Sequence, residues 1–336
     1  MCATVRRRVE NAQPGSGFGA LTPDVVITAV EDASGLKCTS LCRPLNSYIN
    51  RVYDVELDDR THVIAKFYRP GCWSRDALQD ELDFLAELHA DEVPVVPPLS
   101  GRDGALLHQW HDTWFAVFPR KGGRAMEEPT PNAWRHIGRL IARLHAVGAR
   151  RAPRDRVHLH PRQATAAQLD FILASGTVPR NFVAEYRDTA SRLIERIAPF
   201  FEGVETFRIH GDLHFGNILS RPEEGYHLLD FDDMAVGPAV QDMWLMLPDR
   251  LARAKIEMAY LLEGYETFMD FPRGTLRLIE PLRAMRFVHF TAWCARQKAD
   301  GGFMRLAPDW GTPGFWRQQI EDLLTQMQEI EDATTE

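Results

Sequence analysis

The chain has 336 residues, of which 45% are apolar and 26% charged, and carries a formal net charge of −8. This is ordinary globular composition, with room for two domains or one two-lobed unit, and its acidic balance excludes a dedicated nucleic-acid binder, which needs a basic excess to neutralise phosphates. No apolar run approaches the ~18 residues that span a bilayer, and Met1 to Ala20 is basic and then Gly-rich, with no signal-peptide core; a cytoplasmic, membrane-free protein is expected.

In chain order, residues 1–20 read as a flexible tail, because Pro14-Gly15-Ser16-Gly17 cannot hold regular structure. The basic clusters Arg6-Arg7-Arg8 and Arg150-Arg151 read as a solvated tail and a solvated helix end. Thr22-Pro23 is a helix start, with Thr22 as N-cap and Pro23 in the first turn, and the helix runs to Ser34-Gly35. Strands are predicted near Cys38–Arg43, over Tyr48–Leu57 and over Thr61–Tyr68, the last two joined by the turn Asp58-Asp59-Arg60. None of the five cysteines has metal-site spacing, so Cys38 and Cys42 are read as free thiols.

Lys66 lies in the run Val63-Ile-Ala-Lys-Phe-Tyr68 and shares its strand face with Ile64 and Tyr68, so it needs a partner if that face is buried. Ser74 caps a helix to about Asp91 whose apolar stripe is Leu78, Leu85 and Leu88. Glu81 falls in the same stripe. Helix geometry leaves it equally reaching water or paired inside, and the lysine on the preceding strand tips the reading to a Lys66–Glu81 ion pair. Asp91–Ser100 is Pro-rich and irregular, strands follow at Gly104–Trp110 and Thr113–Pro119, and Lys121-Gly-Gly-Arg124 reads as a flexible hinge. Residues 21–120 then form a β-rich N-terminal lobe and 121–336 a C-terminal lobe. The latter opens with a helix whose stripe is Trp134, Ile137, Ile141, Leu144 and Val147, ending at Gly148. Further helices are predicted at about 164–174, 180–201, 249–269, 276–299 and 315–331.

Strands interrupt these helices around Arg208-Ile-His-Gly-Asp-Leu-His-Phe-Gly-Asn-Ile-Leu219 and Tyr226-His-Leu-Leu-Asp-Phe-Asp-Asp233. Asp212, Asn217 and Asp230 emerge from strand ends into one cleft. Two carboxylates and an amide there suit Mg²⁺ with a nucleotide phosphate, with Asp212 left to orient or deprotonate an attacking hydroxyl. This is a phosphoryl-transfer arrangement. His210 reads as a loop brace and His214 as a satisfied loop histidine. Asp232 and Asp233 either reach a second metal or a basic substrate group, or stay solvated.

Leu45-Asn-Ser-Tyr-Ile-Asn-Arg-Val-Tyr53, Ala65-Lys-Phe-Tyr-Arg-Pro70, Asp91-Glu-Val-Pro94, Phe115-Ala-Val-Phe-Pro119, His210-Gly-Asp-x-His-x-Gly-Asn217 and Gly237-Pro-Ala-Val-Gln-Asp242 resemble the bacterial stress response kinase A family, within the aminoglycoside phosphotransferase and choline kinase superfamily. The resemblance runs from about residue 21 to 300 and implies an α+β, protein-kinase-like two-lobed fold. It implies ATP and Mg²⁺ as cofactors, Asp212 as catalytic base, Asn217 and Asp230 as Mg²⁺ ligands, and Asp230 in the place of the kinase Asp-Phe-Gly aspartate, here Asp-Phe-Asp. Lys66 and Glu81 match the phosphate-binding lysine and its helix partner. Asp242 matches a buried aspartate that holds the catalytic loop; a simple helix N-terminal aspartate is the alternative. Ser47 stands where other kinases carry a glycine-rich loop, and the family uses it beside ATP; by themselves Asn46 and Ser47 would shape a β-turn. The expected activity is transfer to Ser or Thr of protein substrates by a monomer. The alternatives are a small-molecule kinase for an amino alcohol or aminoglycoside, and a pseudokinase acting as an interaction module.

Overall fold

The computed structural model describes residues 18, 21–47, 49–126, 129–221, 223–298, 303 and 307–335. The expected tail thus lies outside the described residues except for Phe18, and so does Tyr48 of the second predicted strand. Thr22 caps α1 (Pro23–Ser34), accepting from the Val25 amide, and Gly35 closes it at φ +78°. Next come β1 (Cys38–Leu45), β2 (Arg51–Leu57), β3 (His62–Phe67), α2 (Arg75–Ala90), β4 (His108–Trp110) and β5 (Thr113–Pro119). The strands form one antiparallel five-stranded sheet in the order β1-β2-β3-β5-β4.

Alternation along β3 assigns its side chains to two cores. Val63, Ala65 and Phe67 pack with Val26 and Val30 of α1 and with Tyr53, Val55, Phe115 and Val117. Tyr68, just past β3, joins Leu78, Leu82 and Leu85 of α2 in the main core with Ala116 and Phe118. Both faces of the sheet are therefore covered, and Lys66, opposite Val52 and Ala116 in the ladder, sits on the α2 side.

Beyond β5 the chain forms β6 (Arg124–Ala125), α3 (Pro131–Gly148), α4 (Ala166–Ala174), α5 (Val183–Ile197), β7 (Phe207–Ile209), β8 (Ile218–Arg221), β9 (Gly225–Leu228), β10 (Ala235–Gly237), α6 (Gln241–Trp244), α7 (Lys255–Tyr265), α8 (Ile279–Arg296) and α9 (Pro313–Thr335). The fold is the α+β, kinase-like two-lobed architecture expected. The elements differ from expectation mainly at their ends. The predicted strand from Gly104 is reduced to His108–Trp110, since Gly104 turns the chain at φ +81°. The helix expected at 180–201 tightens to a 3₁₀ turn at Ala198–Phe201, where Pro199 enters. The 121–124 segment is not the free break its glycines suggest. Arg124 and Ala125 pair with Ser220 and Leu219 of β8. Arg221 donates to the Gly122 carbonyl at 2.7 Å, and Lys121 pairs with Glu224 at 2.7 Å.

Two contacts hold the lobes and helices at close range. Arg208 of β7, 1% exposed, bonds Glu87 of α2 at 2.7 Å and the Val147 carbonyl of α3 at 3.0 Å. Helices α3 and α7 cross where Gly138 meets Gly264: a Cβ on Gly138 would lie 2.1 Å from the Leu261 carbonyl oxygen, and one on Gly264 2.0 Å from that of Arg135. Among the described residues no helix is long and apolar enough to cross a membrane.

Candidate active site

The site forms where β3 and α2 of the N-terminal lobe face the loops around β7–β10. Glu81 is 1% exposed on the inner face of α2, and its Oε1 accepts from Lys66 Nζ at 3.1 Å and from the Tyr68 hydroxyl at 3.3 Å. Its Oε2 lies 3.4 Å from Arg156, a guanidinium with no side-chain exposure that also donates to the Asp232 carbonyl at 2.6 Å and stacks 4.6 Å from the Trp73 ring. Lys66 also pairs with the Asp232 carboxylate and lies 3.8 Å from Asp230. Asn50 donates to the other oxygen of Asp232 and accepts from the Arg69 amide at 3.1 Å. The expected Lys66–Glu81 pair is present, inside a wider network that also includes Asn50, Arg156, Asp230 and Asp232.

The electrostatics follow from a surplus of carboxylates. Burial works against the Lys66 ammonium, but Asp232 and Glu81 outweigh it and hold its pKa well above the usual range. Glu81 also rises, because burial disfavours its charge more than Lys66 and Arg156 restore it. Asp230 is pushed up to about 7, by desolvation first and then by Asp232. The Asp230 side chain is 56% exposed. The ammonium rises because the carboxylates around it outweigh burial, whereas the carboxyl groups rise because burial comes first and the neighbouring carboxylates add to it.

Hydrogen bonds bring Asp212, Asn217 and Asp230 together. In the hairpin Ile218 faces Leu228, and the Leu229 amide donates to the Asn217 carbonyl at 2.9 Å, so Asn217 and Asp230 flank the same end. Asn217 Nδ2 donates to the Asp212 carbonyl at 3.0 Å, which leaves Oδ1 as the amide's acceptor atom. Asp230 holds a left-handed backbone, φ +61°, uncommon for a non-glycine residue and concentrated at functional sites. Gly211 lies at φ +87°, and a Cβ there would meet the Asp233 carbonyl oxygen at 2.1 Å, which explains the glycine of the His-Gly-Asp run. Asp242, fully buried, accepts from the amides of His210 at 2.7 Å and Gly211 at 2.8 Å and from His145 Nε2 at 3.1 Å. It is the loop anchor, not a simple helix-start aspartate. His210 braces the loop by bonding the Leu229 carbonyl at 2.8 Å. His214 caps a short turn through the Gly216 amide at 3.0 Å, and its Nε2 lies 3.7 Å from Asp212 Oδ2.

Three features went unread in the sequence. Asp212 is not left to a hydroxyl alone: Arg286 of α8 donates to its Oδ1 at 2.9 Å. Asp232 is neither a solvated carboxylate nor a group reserved for substrate, since it pairs with Lys66 and Asn50. Arg156 joins Glu81 to the Asp-Phe-Asp loop, and nothing in its Arg- and Pro-rich surroundings signals this. Ser47 lies half-buried in the β1–β2 loop, and among the described residues no hydrogen bond joins it to the network. Among the described residues no three His, Cys, Asp or Glu side chains converge as a metal site. Asn217 and Asp230 supply one amide and one carboxylate. With the local surplus of negative charge, that donor set fits a hard divalent cation whose other ligands come from water or phosphate.

A covered sheet with an ion-paired lysine, joined to helices that hold an Asp–Asn–Asp loop set, defines a phosphotransferase of the kinase-like class. Residues 41–277 match the model of the phosphotransferase enzyme family, described as APH. Stress response kinase A of Escherichia coli (strain K12) is 33% identical over 316 residues, covering 94% of this chain and 95% of that protein. A Salmonella typhimurium (strain LT2) protein named serine/threonine protein kinase RdoA is 33% identical over 92% of this chain and 93% of its own length. Among solved structures, the amicoumacin kinase hAmiN in complex with AMP-PNP, Ca²⁺ and Ami superposes with a TM-score of 0.70, at 16% identity over 96% of each chain. The chain belongs to the phosphotransferase enzyme family, in its stress response kinase A branch.

Proposed function

We propose that this protein is an ATP- and Mg²⁺-dependent kinase that transfers the γ-phosphate to Ser or Thr hydroxyls of proteins in a stress response, working between an N-terminal lobe of residues 21–120 and a C-terminal lobe of 121–336. The observation that carries it is the buried Lys66–Glu81 pair facing the Asp212–Asn217–Asp230 loops. Lys66 orients the nucleotide's phosphates, with Glu81 and Arg156 keeping it extended. Asn217 and Asp230 would hold the cation, which when bound neutralises charge developing on the phosphates. Ser47 donates from the β1–β2 loop beside the nucleotide, in a loop with no glycine to bring the backbone closer. Asp212 aligns the acceptor hydroxyl and receives its proton; catalysis is mostly positioning and electrostatics.

The name of one relative, serine/threonine protein kinase RdoA, favours a protein acceptor. A small-molecule acceptor is the second reading, favoured by the likeness in fold to kinases titled for amicoumacin and for aminopropanol. Radiolabelled ATP offered with a casein-like protein and a panel of amino alcohols tests both. Asp212→Ala should lower transfer by roughly 10²–10⁴-fold while keeping a nucleotide-dependent thermal shift. Native-rate labelling by that variant would remove Asp212 from its role.

A further inference from the structure

We propose that Arg286 is a positioning residue for Asp212 and makes the acceptor side of the cleft select hydroxyls flanked by neutral or anionic groups over those flanked by an ammonium. This rests on the kinase reading above and deepens it to an acceptor class. Arg286 projects from α8 and donates through Nη1 to Asp212 Oδ1 at 2.9 Å. The Asp212 side chain is 7% exposed, whereas that of Arg286 is 31% exposed. The pair therefore has its carboxylate inside the cleft and its cation at the rim. A guanidinium carries five N–H donors in a fixed plane, and one suffices for Asp212. The remaining donors can meet carbonyls, carboxylates or hydroxyls of an arriving acceptor.

Two further observations set the charge of this side. Asp232, one of the carboxylates open to a cationic acceptor by sequence, is engaged by Lys66 and Asn50 towards the nucleotide side, which leaves the exposed Asp233 and Asp230 to be outweighed by Arg286 at Asp212 itself. His289, three residues along α8, bonds Thr165 Oγ1 at 3.1 Å. Burial first, then Arg286 and Arg296, lowers its pKa to about 4, so the ring adds no charge at neutral pH. An ammonium brought to Asp212 would compete with a cation already bound there, and like charges at that range repel.

In the transfer step the acceptor oxygen bonds to the γ-phosphorus. The bridging P–O bond breaks with its electron pair leaving on ADP, and the hydroxyl proton passes to the Asp212 carboxylate. Arg286 acts through Asp212, holding the plane of that carboxylate as the hydroxyl arrives. Its loss should lower the rate of the chemical step and leave nucleotide affinity in place.

The test uses the full chain with ATP and Mg²⁺ and three acceptors: a Ser peptide with Glu flanks, the same peptide with Lys flanks, and 1-amino-2-propanol. Arg286→Ala should lose roughly 10²-fold in kcat for the Glu-flanked peptide, with KM for ATP changed by less than about twofold. Arg286→Lys should recover part of that rate, since it restores the charge without the planar fork. The preference for Glu over Lys flanks should shrink by about tenfold in Arg286→Ala and persist in Arg286→Lys. Unchanged kcat in Arg286→Ala, or an unaltered flank preference, overturns the inference. If the unaltered protein phosphorylates none of the three, the kinase reading itself falls. Should Arg286→Ala not fold, Arg286→Gln is read in its place by the same criteria.

Discussion

Asp242 offers the sharpest test of how the loop is held, because two substitutions there should differ by a predictable amount. Its carboxylate is fully buried and takes three donors: the His210 amide and His145 Nε2 on Oδ2, and the Gly211 amide on Oδ1. Asp242→Ala strands all three. Each unsatisfied buried donor costs about 1–3 kcal/mol, and entry of water into the space offsets part of that, so a loss of about 4–5 kcal/mol is expected. Asp242→Asn keeps one oxygen and turns the other into an NH₂ group. His145 can adapt, because its Nδ1 meets the Tyr265 hydroxyl at 3.1 Å and that hydroxyl can either donate or accept. A backbone amide cannot adapt. Whichever way the Asn amide flips, it turns an N–H towards either His210 or Gly211, leaving one mismatched backbone donor and a loss of about 2–3 kcal/mol. Urea unfolding of the two variants measures both losses. Equal losses for Asn and Ala, or a loss under about 0.5 kcal/mol for either, would refute this account of the anchor. Both variants should also slow phosphate transfer, since Gly211 and His210 immediately precede Asp212.

Three other outcomes follow from the same geometry. Lys66→Ala should lower transfer by roughly 10²–10³-fold, because it removes the charge that faces the phosphates; a steady-state assay with saturating acceptor reads it, and a variant within tenfold of the parent would argue against the lysine's role. For His289 the folded pKa of about 4 lies below the ordinary 6.5, so between those values the unfolded chain takes up the proton and the folded one does not. Stability should fall as pH drops from about 6.5 towards 4, by up to about 3 kcal/mol; His289→Gln should lose less over that window in paired urea titrations, and identical acid slopes would exclude the histidine. Gly138→Ala sets a methyl against the Leu261 carbonyl and must push α3 from α7; a loss of about 1–3 kcal/mol is expected, and a neutral result would mean the crossing is looser than it stands here.

Much of the molecule was legible in the residues alone. Thr22 and Ser74 cap their helices because a side-chain oxygen before an apolar stripe has an orphan amide to satisfy wherever the helix is later packed. The alternation of β3 and the stripe of α2 placed Lys66 and Glu81 on facing surfaces, since strand and helix periods are local properties. The spacing of Asp212, Asn217 and Asp230 was readable for the same reason: one hairpin carries the last two, and the first lies five residues upstream. Arg286 and Arg156 were not readable. Arg286 is 74 residues from Asp212 and Arg156 is 75 from Glu81, and neither helix period nor turn chemistry says which distant carboxylate a guanidinium will meet. The same holds for the Lys121–Arg124 segment, whose glycines indicate freedom that pairing with β8 removes. Local sequence determined which elements form and which faces they bury. Only the tertiary arrangement decided which charges share a cleft, because an ion pair is selected by distance in space and by the desolvation around it.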